Sequence, residues 1–452
     1  MAEPLHKQNF HKEHKWERYP KYKDSSVEWL GEVPEGWGSK RLKFTADLIN
    51  EKIDATNLGL LYIGLENIES WTGRYLPSEA PVEMEGLSNH FKAGDVLLGK
   101  LRPYLAKVFK TNAEGVCTSE LLVLHPKLVN QRFLFYYFIS RDFIKTIDSS
   151  TFGAKMPRAN WDFIGNLPSL IPSSQEQTAI ATFLDSETAR IDALIEKKER
   201  LIALLEEKRA ALISHAVTKG LDPDAKMKES GVGWIGMVPD GWNQIKIKFL
   251  IKKIEQGWSP ECETRLAESE EWGVLKVGCV NGGIFNENEN KALPVSLEPY
   301  IEYEIKKGDI LMSRANTVEL LGSCAIVENV RERLLLCDKL YRITPTPTIL
   351  ESKFLVYFFA SHVSRFQMEQ EATGTSNSMK NIVQGTIREL IINLPPQNEQ
   401  KKIVNYIDNC CHTIDSGINK IECSINLLHE YRSALISSAV TGKIDVRQEA
   451  AV

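Results

Sequence analysis

The sequence predicts an α+β protein with an internal pseudo-two-fold duplication, in which two globular domains are separated by a pair of long antiparallel coiled-coil helices. Three observations predict this fold class. Two long heptad-patterned stretches end in nearly the same ten residues. Each globular half begins with the same turn motif, and strand and helix patterns follow in the same order in both halves. A chain of 452 residues is long enough for two or more domains.

The first long helix is predicted over residues 176–220, where apolar residues recur on one stripe with charged residues on the other faces. At 1.5 Å per residue it would be roughly 60 Å long, which is too long for an ordinary globular helix. A second helix is predicted over 399–445, and its end, RSALISSAVT, nearly repeats the RAALISHAVT of the first. We expect the two stripes to pack on each other; they consist of Leu184, Ile191, Leu205 and Leu212 in the first helix and Ile407, Ile414, Ile421, Leu428 and Leu435 in the second.

The remaining boundaries follow from a second duplication, KDSSVEWLGEVPEGW in the first half and KESGVGWIGMVPDGW in the second. Pro and Gly in each motif are typical of a tight turn, with Trp29 and Trp37 as core aromatics beside the first one. We predict a flexible arm (1–20), a first globular domain (21–175), a linker after the first long helix (221–232) and a second globular domain (233–398).

Within each globular half the predicted elements come in one order. The basic, alternating SKRLKF and QIKIKF are predicted as strands, and KAGDVLLGKLRPYLAKV as a strand, a turn and a second strand. The apolar RFLFYYFIS and KFLVYFFAS are predicted as short core helices, and LPSLIP and IINLPP as short strands before the long helices. The frames of the halves repeat while their interiors differ, which favours two domains that recognise different things.

Composition limits the class of protein. No apolar run long enough for a signal peptide or a membrane span occurs, and the eight cysteines form no C-x-x-C pair, so we expect a cytoplasmic protein with no disulfide framework and no zinc finger. The net charge of −5 gives no general attraction to nucleic acid, so DNA binding would have to rest on local patches.

Motifs for catalysis are missing. The sequence has no phosphate-binding loop, no dinucleotide fingerprint and no Asn/Asp-Pro-Pro-aromatic motif for amino methylation. A nuclease site made of Asp240, Glu304 and Lys306 is an alternative, but Asp240 lies in the duplicated turn and has a structural explanation there. We therefore expect no catalytic residues, no metal site and no cofactor in this chain.

Polar loops supply the candidate DNA contacts. Arg and Asn side chains suit the edges of guanine and adenine, and Lys and Ser suit phosphate groups. The candidates lie in the strand turn and the late loop of each half: Lys100, Arg102, Tyr104, Lys107, Lys155 and Arg158 in the first, and Arg314, Asn316, Ser376, Asn377 and Lys380 in the second.

The chain resembles the specificity subunits of type I restriction–modification systems. The strings that carry the resemblance are YPKYKDSSVEWLGEVPEGW, YIGLENIESWTG, GKLRPYLAKV and the whole first long helix, and the resemblance covers nearly the full length. The second half departs from it, with Arg314-Ala315-Asn316 where the first half has Arg102-Pro103-Tyr104.

The resemblance implies a DNA-binding, hetero-oligomeric protein without activity of its own. Each globular half would be a target-recognition domain for one part of a split, asymmetric sequence in double-stranded DNA. The helices would set the spacer and dock two modification subunits, which bind S-adenosylmethionine and methylate adenine. Restriction subunits would add translocation and cleavage driven by ATP and Mg. Two other hypotheses are the recognition portion of a single-chain methyltransferase–nuclease and a coiled-coil scaffold without a role on DNA.

Overall fold

The computed structural model describes residues 16–54, 59–78, 86–151, 156–376 and 379–448. By their contacts the residues divide into two units, each described separately below: unit 1 comprises residues 1–198 and 422–452, and unit 2 comprises residues 199–421. The predicted fold class, α+β with two globular parts and two long helices, is confirmed. The first fifteen residues of the predicted arm lie outside the described residues.

Unit 1 contains twelve described strands, three short α-helices, the first part of one long helix and the last part of the other, which is named with unit 2 below. In chain order they are β1 (Tyr22–Asp24), β2 (Glu32–Pro34), β3 (Gly38–Arg41), β4 (Ala46–Ile49), β5 (Lys52–Asp54), β6 (Leu61–Ile63), β7 (Leu87–Phe91), β8 (Val96–Gly99), β9 (Val108–Lys110), β10 (Gly115–Cys117), β11 (Leu121–Pro126), α1 (Gln131–Phe138), α2 (Arg141–Ser149), α3 (Trp161–Ile164), β12 (Pro168–Ile171) and α4 (Ser174–Lys219).

Two four-stranded sheets form the globular part of unit 1, in the orders β4-β11-β8-β9 and β5-β7-β10-β6. All neighbours are antiparallel except β10 and β6, which are parallel. The apolar sequence RFLFYYFIS forms α1 as predicted, and its aromatic side chains are buried in the largest core of the unit. Trp37 is buried in the same core, and Trp29 packs against it half-buried.

Unit 2 repeats this plan. Its elements are β13 (Met227–Glu229), β14 (Met237–Pro239), β15 (Asn243–Lys246), β16 (Ile251–Gln256), β17 (Gly273–Leu275), β18 (Asn290–Ala292), β19 (Ile310–Ser313), β20 (Ala315–Asn316), β21 (Cys324–Ile326), β22 (Leu334–Leu335), β23 (Leu340–Pro345), α5 (Ser352–Ala360), α6 (His362–Glu371), β24 (Thr373–Ser376), β25 (Met379–Asn381), α7 (Gln384–Glu389), β26 (Ile391–Leu394) and α8 (Gln397–Val440).

Two sheets of unit 2 correspond to those of unit 1. The four-stranded sheet has the order β16-β23-β19-β21, and a smaller sheet has the order β18-β17-β22 with β17 and β22 parallel. A further three-stranded sheet, β20-β25-β24, joins the strand turn of this unit to its late loop, where the described residues of unit 1 form an isolated bridge between Leu101 and Arg158. The two halves therefore share a frame and differ where the candidate DNA contacts lie.

One strand prediction is wrong in its extent. SKRLKF was predicted as a single strand, but β3 ends at Arg41 and Leu42–Phe44 form a short 3-10 helix. The turn forms because Leu42 N–H bonds to the Leu167 carbonyl at 2.8 Å while the Thr45 hydroxyl bonds back to the Leu42 carbonyl at 3.0 Å. QIKIKF behaves in the same way, with β15 followed by a 3-10 helix at Ile247–Phe249.

The predicted stripes of α4 and α8 differ in burial along their length. In unit 1, Leu184, Ile191 and Leu435 are buried in the main core and Leu428 packs against it half-buried. In unit 2, Ile407 and Ile414 are buried while Leu205, Leu212 and Ile421 are half-buried. Two isoleucines one turn further along, Ile195 and Ile418, are buried to 7% and 9% exposure, so the apolar face is wider than a single heptad row.

An arginine joins the two helices within each unit, buried in unit 1 and half-buried in unit 2. In unit 1 the Arg432 guanidinium bonds to the Asp192 carboxylate at 2.8 Å and to the Trp71 carbonyl at 2.8 Å. In unit 2 Arg209 pairs with Asp415. Since Arg209 and Asp192 repeat as Arg432 and Asp415 in the duplicated helices, the same ion pair is made once in each unit.

Each globular part is also fixed to the start of its long helix by repeated contacts. The indole N–H of Trp37 donates to Glu176 at 3.2 Å, and that of Trp242 donates to Glu399 at 3.1 Å. Nine residues further along each helix, an aspartate accepts a hydrogen bond from a tyrosine of the core helix: Asp185 from Tyr136 and Asp408 from Tyr357.

The pKa of Asp185 reflects this anchoring. Burial raises the pKa of the carboxyl, but the hydrogen bond from Tyr136 and the cations Lys110 and Arg132 together outweigh it, so the pKa lies below its ordinary value. A carboxylate with a lowered pKa stabilises the folded state above the unfolded pKa of about 3.9, and this contribution is lost as the pH falls through the folded value.

The tryptophan–glutamate contacts predict a matched pair of stability losses. Trp37→Phe and Trp242→Phe each remove one hydrogen bond and some ring volume, so we expect each to lower the free energy of unfolding by about 1–1.5 kcal/mol. Chemical denaturation measures the loss. Trp234→Phe is the control because Trp234 is 48% exposed, and a loss in that variant as large as in the other two would contradict the assignment.

Candidate nucleic-acid interface

The turn between β8 and β9 presents an arginine on a tightly held backbone. Arg102 has φ 50° and Ala106 has φ 46°, both left-handed, and they bracket a 3-10 turn that starts with Pro103. Left-handed backbone at non-glycine residues costs about 1–3 kcal/mol and persists where the surroundings enforce it, often at functional sites. Here the Arg102 N–H bonds to the Pro157 carbonyl at 2.8 Å, and Ala106 and Pro103 are buried.

The side chains at this turn point to solvent. Arg102 is exposed, Tyr104 is 46% exposed and Lys100 is half-buried. Among the residues that the structure describes, none makes a hydrogen bond or ion pair with these three side chains. The turn therefore offers a guanidinium, an ammonium and a phenol to a ligand from a rigid backbone.

The late loop of unit 1 is joined to the same turn. Ala159 N–H bonds to the Lys100 carbonyl at 2.9 Å, and Arg158 forms a bridge with Leu101. The Arg158 guanidinium makes a forked pair with the Glu120 carboxylate, with contacts of 3.1–3.3 Å. This hydrogen bonding raises the pKa of Arg158. Lys155, the other candidate of this loop, lies outside the described residues.

Lys107 is turned inward. Its ammonium donates to the carbonyls of Leu65 and Ile68, both at 2.7 Å. Loss of water around it lowers the pKa of Lys107. Both acceptors are backbone carbonyls of this chain, so Lys107 holds the neighbouring loop in place. We therefore leave Lys107 out of the candidate interface.

The second unit arranges its candidates in a small sheet. Asn316 on β20 lies opposite Lys380 on β25. The Asn316 side chain donates to Asn281 at 3.3 Å and accepts from the Thr317 N–H at 2.9 Å. Ser376 is the last residue of β24, and Asn377 lies outside the described residues.

Arg314 is held inside unit 2 by two contacts. Its guanidinium donates to the Asp338 carbonyl at 3.2 Å and lies over the Tyr341 ring at 6.0 Å. These side-chain contacts hold Arg314 against β23 and the residues just before it. Its backbone takes the place of Lys100 in unit 1, since the Ile382 N–H bonds to the Arg314 carbonyl at 2.8 Å as the Ala159 N–H bonds to the Lys100 carbonyl at 2.9 Å.

Two residues that contact the candidates, Glu120 and Asn281, were not predicted from the sequence. Glu120 was missed because nothing local indicates that a carboxylate pairs with an arginine 38 positions away. Asn281 was missed although a signal exists: it precedes Gly282 and Gly283, both with positive φ, and Asn-Gly-Gly is typical of a turn at a strand end.

Charge is segregated along the chain. Residues 50–91 carry seven Asp and Glu against two Lys and Arg, and residues 257–304, which we call the acidic segment, carry ten against three. The whole chain has 60 acidic and 55 basic residues, so the rest of the chain has 43 against 50. The net charge of −5 therefore hides a basic remainder, to which the candidate interfaces of both units belong.

Two members of the alternative nuclease site have other partners. Asp240 pairs with Lys228 at 3.8 Å, and the Glu304 carboxylate accepts from the Arg333 N–H at 3.0 Å. In the described part of the chain no group of three or more His, Cys, Asp or Glu is placed to hold a metal ion. No helix there is long and apolar enough to cross a membrane.

The chain is similar in sequence to a known family of proteins. A family model described as the type I restriction modification DNA specificity domain matches residues 85–204 and 239–422. The EcoEI specificity subunit of Escherichia coli, a type I restriction enzyme subunit, is 25% identical over 90% of this chain and 83% of its own length. The EcoKI specificity subunit of E. coli K12 is also 25% identical, over 73% of this chain and 69% of its own.

A solved structure agrees in fold. One chain, from work on complex assembly and conformational transition of the type I R–M system, matches with a TM-score of 0.68. The match covers 90% of this chain and 98% of that chain at 17% identity, and it shows a shared fold.

Proposed function

The chain belongs to the family of type I restriction–modification DNA specificity subunits, and from that membership we propose that each of its two units reads one part of a split, asymmetric target in double-stranded DNA. The observation that carries the proposal is the duplication: the family model matches twice, once over 85–204 and once over 239–422. The repeated frames with different candidate interfaces support two readers of different sequence.

The two interfaces differ in chemistry. In unit 1 the exposed Arg102 presents a fork of donors, which suits the O6 and N7 atoms of guanine. In unit 2 Asn316 and Lys380 lie side by side on a sheet, and an asparagine amide suits the N6 and N7 atoms of adenine. The two units should therefore prefer different bases.

The long helices are proposed to set the spacer and to dock two modification subunits. Support for docking comes from apolar side chains that the helices expose: Leu194, Leu427 and Tyr431 in unit 1, and Leu201, Leu204 and Tyr406 in unit 2. Exposed apolar patches on a polar surface are typical of protein interfaces. S-adenosylmethionine would then be bound by the modification subunits, and ATP and Mg by restriction subunits, with no cofactor in this chain.

The proposal is tested by methylation mapping. The chain is assembled with its modification subunits, given S-adenosylmethionine and a random-sequence DNA library, and the methylated adenines are mapped. A two-part motif with a fixed gap is the expected result. A continuous motif contradicts the split target, and methyl transfer by the chain alone favours the single-chain enzyme.

A matched insertion tests the spacer. Seven residues inserted after Lys198, with seven more after Ile421, lengthen both helices by about 10 Å while keeping the apolar stripe in phase. We expect the gap between the two parts of the motif to grow by about three base pairs, at about 3.4 Å each, with both part-sequences unchanged. The control is the same seven residues inserted after Gly231 in the linker turn, and an unchanged gap in the helix variant contradicts the proposal.

A further inference from the structure

The acidic segment of unit 2 combines negative charge with exposed apolar side chains on an ordered turn. Val295 is 98% exposed, Ile301 66%, Tyr300 49% and Leu297 37%. Backbone hydrogen bonds hold the turn, with Leu297 N–H to the Pro294 carbonyl at 2.9 Å. We call residues 294–302 the apolar turn.

The apolar turn is anchored by a core of its own. The Tyr300 ring meets the Trp258 ring edge-on at 4.5 Å, and Trp258 packs on a core cluster separate from the main core of unit 2. Val274, Leu275 and Leu293 of the acidic segment belong to the same cluster. The exposed side chains therefore belong to a turn that packs on a folded core, and they are exposed in the folded protein.

Two carboxylates on the apolar turn are uncompensated. Within the described residues, the side chains of Glu298 and Glu302 make no hydrogen bond or ion pair. Some other carboxylates of the segment are paired with cations, such as Glu271 with Arg265 at 2.5 Å and Glu289 with Lys276 at 3.5 Å. The two unpaired carboxylates of the apolar turn therefore lie beside its exposed apolar residues.

This surface is unsuited to DNA. Phosphates bind lysine and arginine, and an excess of seven carboxylates repels them within a Debye length of about 8 Å at physiological salt. An apolar centre with charged residues around it is the usual anatomy of a protein interface. A complementary partner would have an apolar pocket for the exposed side chains and cationic residues around it for the carboxylates.

We propose that the apolar turn, with Glu298 and Glu302, is a docking surface for a modification subunit that presents such a cationic, apolar-lined face. The proposal rests on the proposed function, in which modification subunits assemble with this chain. The first half offers a parallel: residues 50–91 have an excess of five carboxylates, and Leu87 there is 70% exposed.

Two double variants test the docking surface. Val295→Ser with Ile301→Ser removes the apolar centre, and Glu298→Lys with Glu302→Lys reverses the charge. All four side chains are exposed, so the variants should fold as the unmodified chain does, which thermal denaturation checks. The controls are Ile349→Ser, at 44% exposure, and Glu229→Lys on the exposed strand β13.

The readouts are the dissociation constant for the modification subunits and the hydrogen exchange of the apolar turn with and without them. We expect the dissociation constant to rise at least tenfold for both double variants and to stay unchanged for the controls. Hydrogen exchange of the apolar turn should be slower in the complex. Unchanged assembly with free exchange of the turn overturns the docking surface and leaves the proposed function standing. Failure of the unmodified chain to bind modification subunits overturns both.

Discussion

Replacing Leu184 by aspartate should unfold unit 1, with a loss of at least about 4 kcal/mol in the free energy of unfolding. Leu184 is fully buried in the core that α4 shares with α1 and the last turns of α8. The variant loses about 1.5–3 kcal/mol of apolar burial. It also places a carboxylate where burial of an unpaired charge costs several kcal/mol more.

Hydrogen exchange of α1 in increasing denaturant measures the loss in unit 1 separately from unit 2. The matched control is Leu194→Asp, ten residues along the same helix and 43% exposed, which should change stability by no more than about 0.5 kcal/mol. Ile407→Asp, at the duplicated position in unit 2 and also fully buried, should unfold unit 2 instead. Equal losses in Leu184→Asp and Leu194→Asp would show that burial on this helix does not decide stability.

Replacing Arg102 by alanine should cost about 1–3 kcal/mol of discrimination at one base pair of the first part of the target, with the second part unaffected. The reason is the exposed guanidinium, which has no partner among the described residues, and the rigid left-handed backbone that carries it. A pre-organised donor fork gives up little freedom on binding a guanine edge.

Binding competition at a fixed salt concentration, followed by methylation mapping, measures the effect. Arg102→Lys separates the two roles of the side chain: it keeps a charge for phosphate but cannot form the forked contact, so base discrimination should fall while the salt dependence stays. Arg102→Gly controls for folding, because glycine accepts φ 50° without strain and should be more stable than the alanine variant by about 1 kcal/mol. Lost discrimination in the second part of the target would contradict independent reading by the two units.

The inward position of Lys107 shows why candidate contacts were harder to predict than the fold. Lys100, Arg102 and Lys107 are alike in sequence, three cations in one strand turn. Only the folded chain decides that Lys107 meets the carbonyls of Leu65 and Ile68 while Arg102 meets solvent. Those carbonyls lie about forty residues away, and no local pattern encodes that distance.

What the sequence by itself determined are the features that repeat at short range: the heptad stripes of α4 and α8, the apolar core helices α1 and α5, the duplicated turns and the order of the elements. They are predictable because helix periodicity and turn chemistry depend on neighbouring residues. The tertiary structure decided which charges are free and which are paired, as in Arg158 with Glu120, Arg314 over Tyr341 and Arg432 with Asp192. Those choices depend on residues that only folding brings together, because a buried or half-buried charge is held wherever an opposite charge or a carbonyl reaches it.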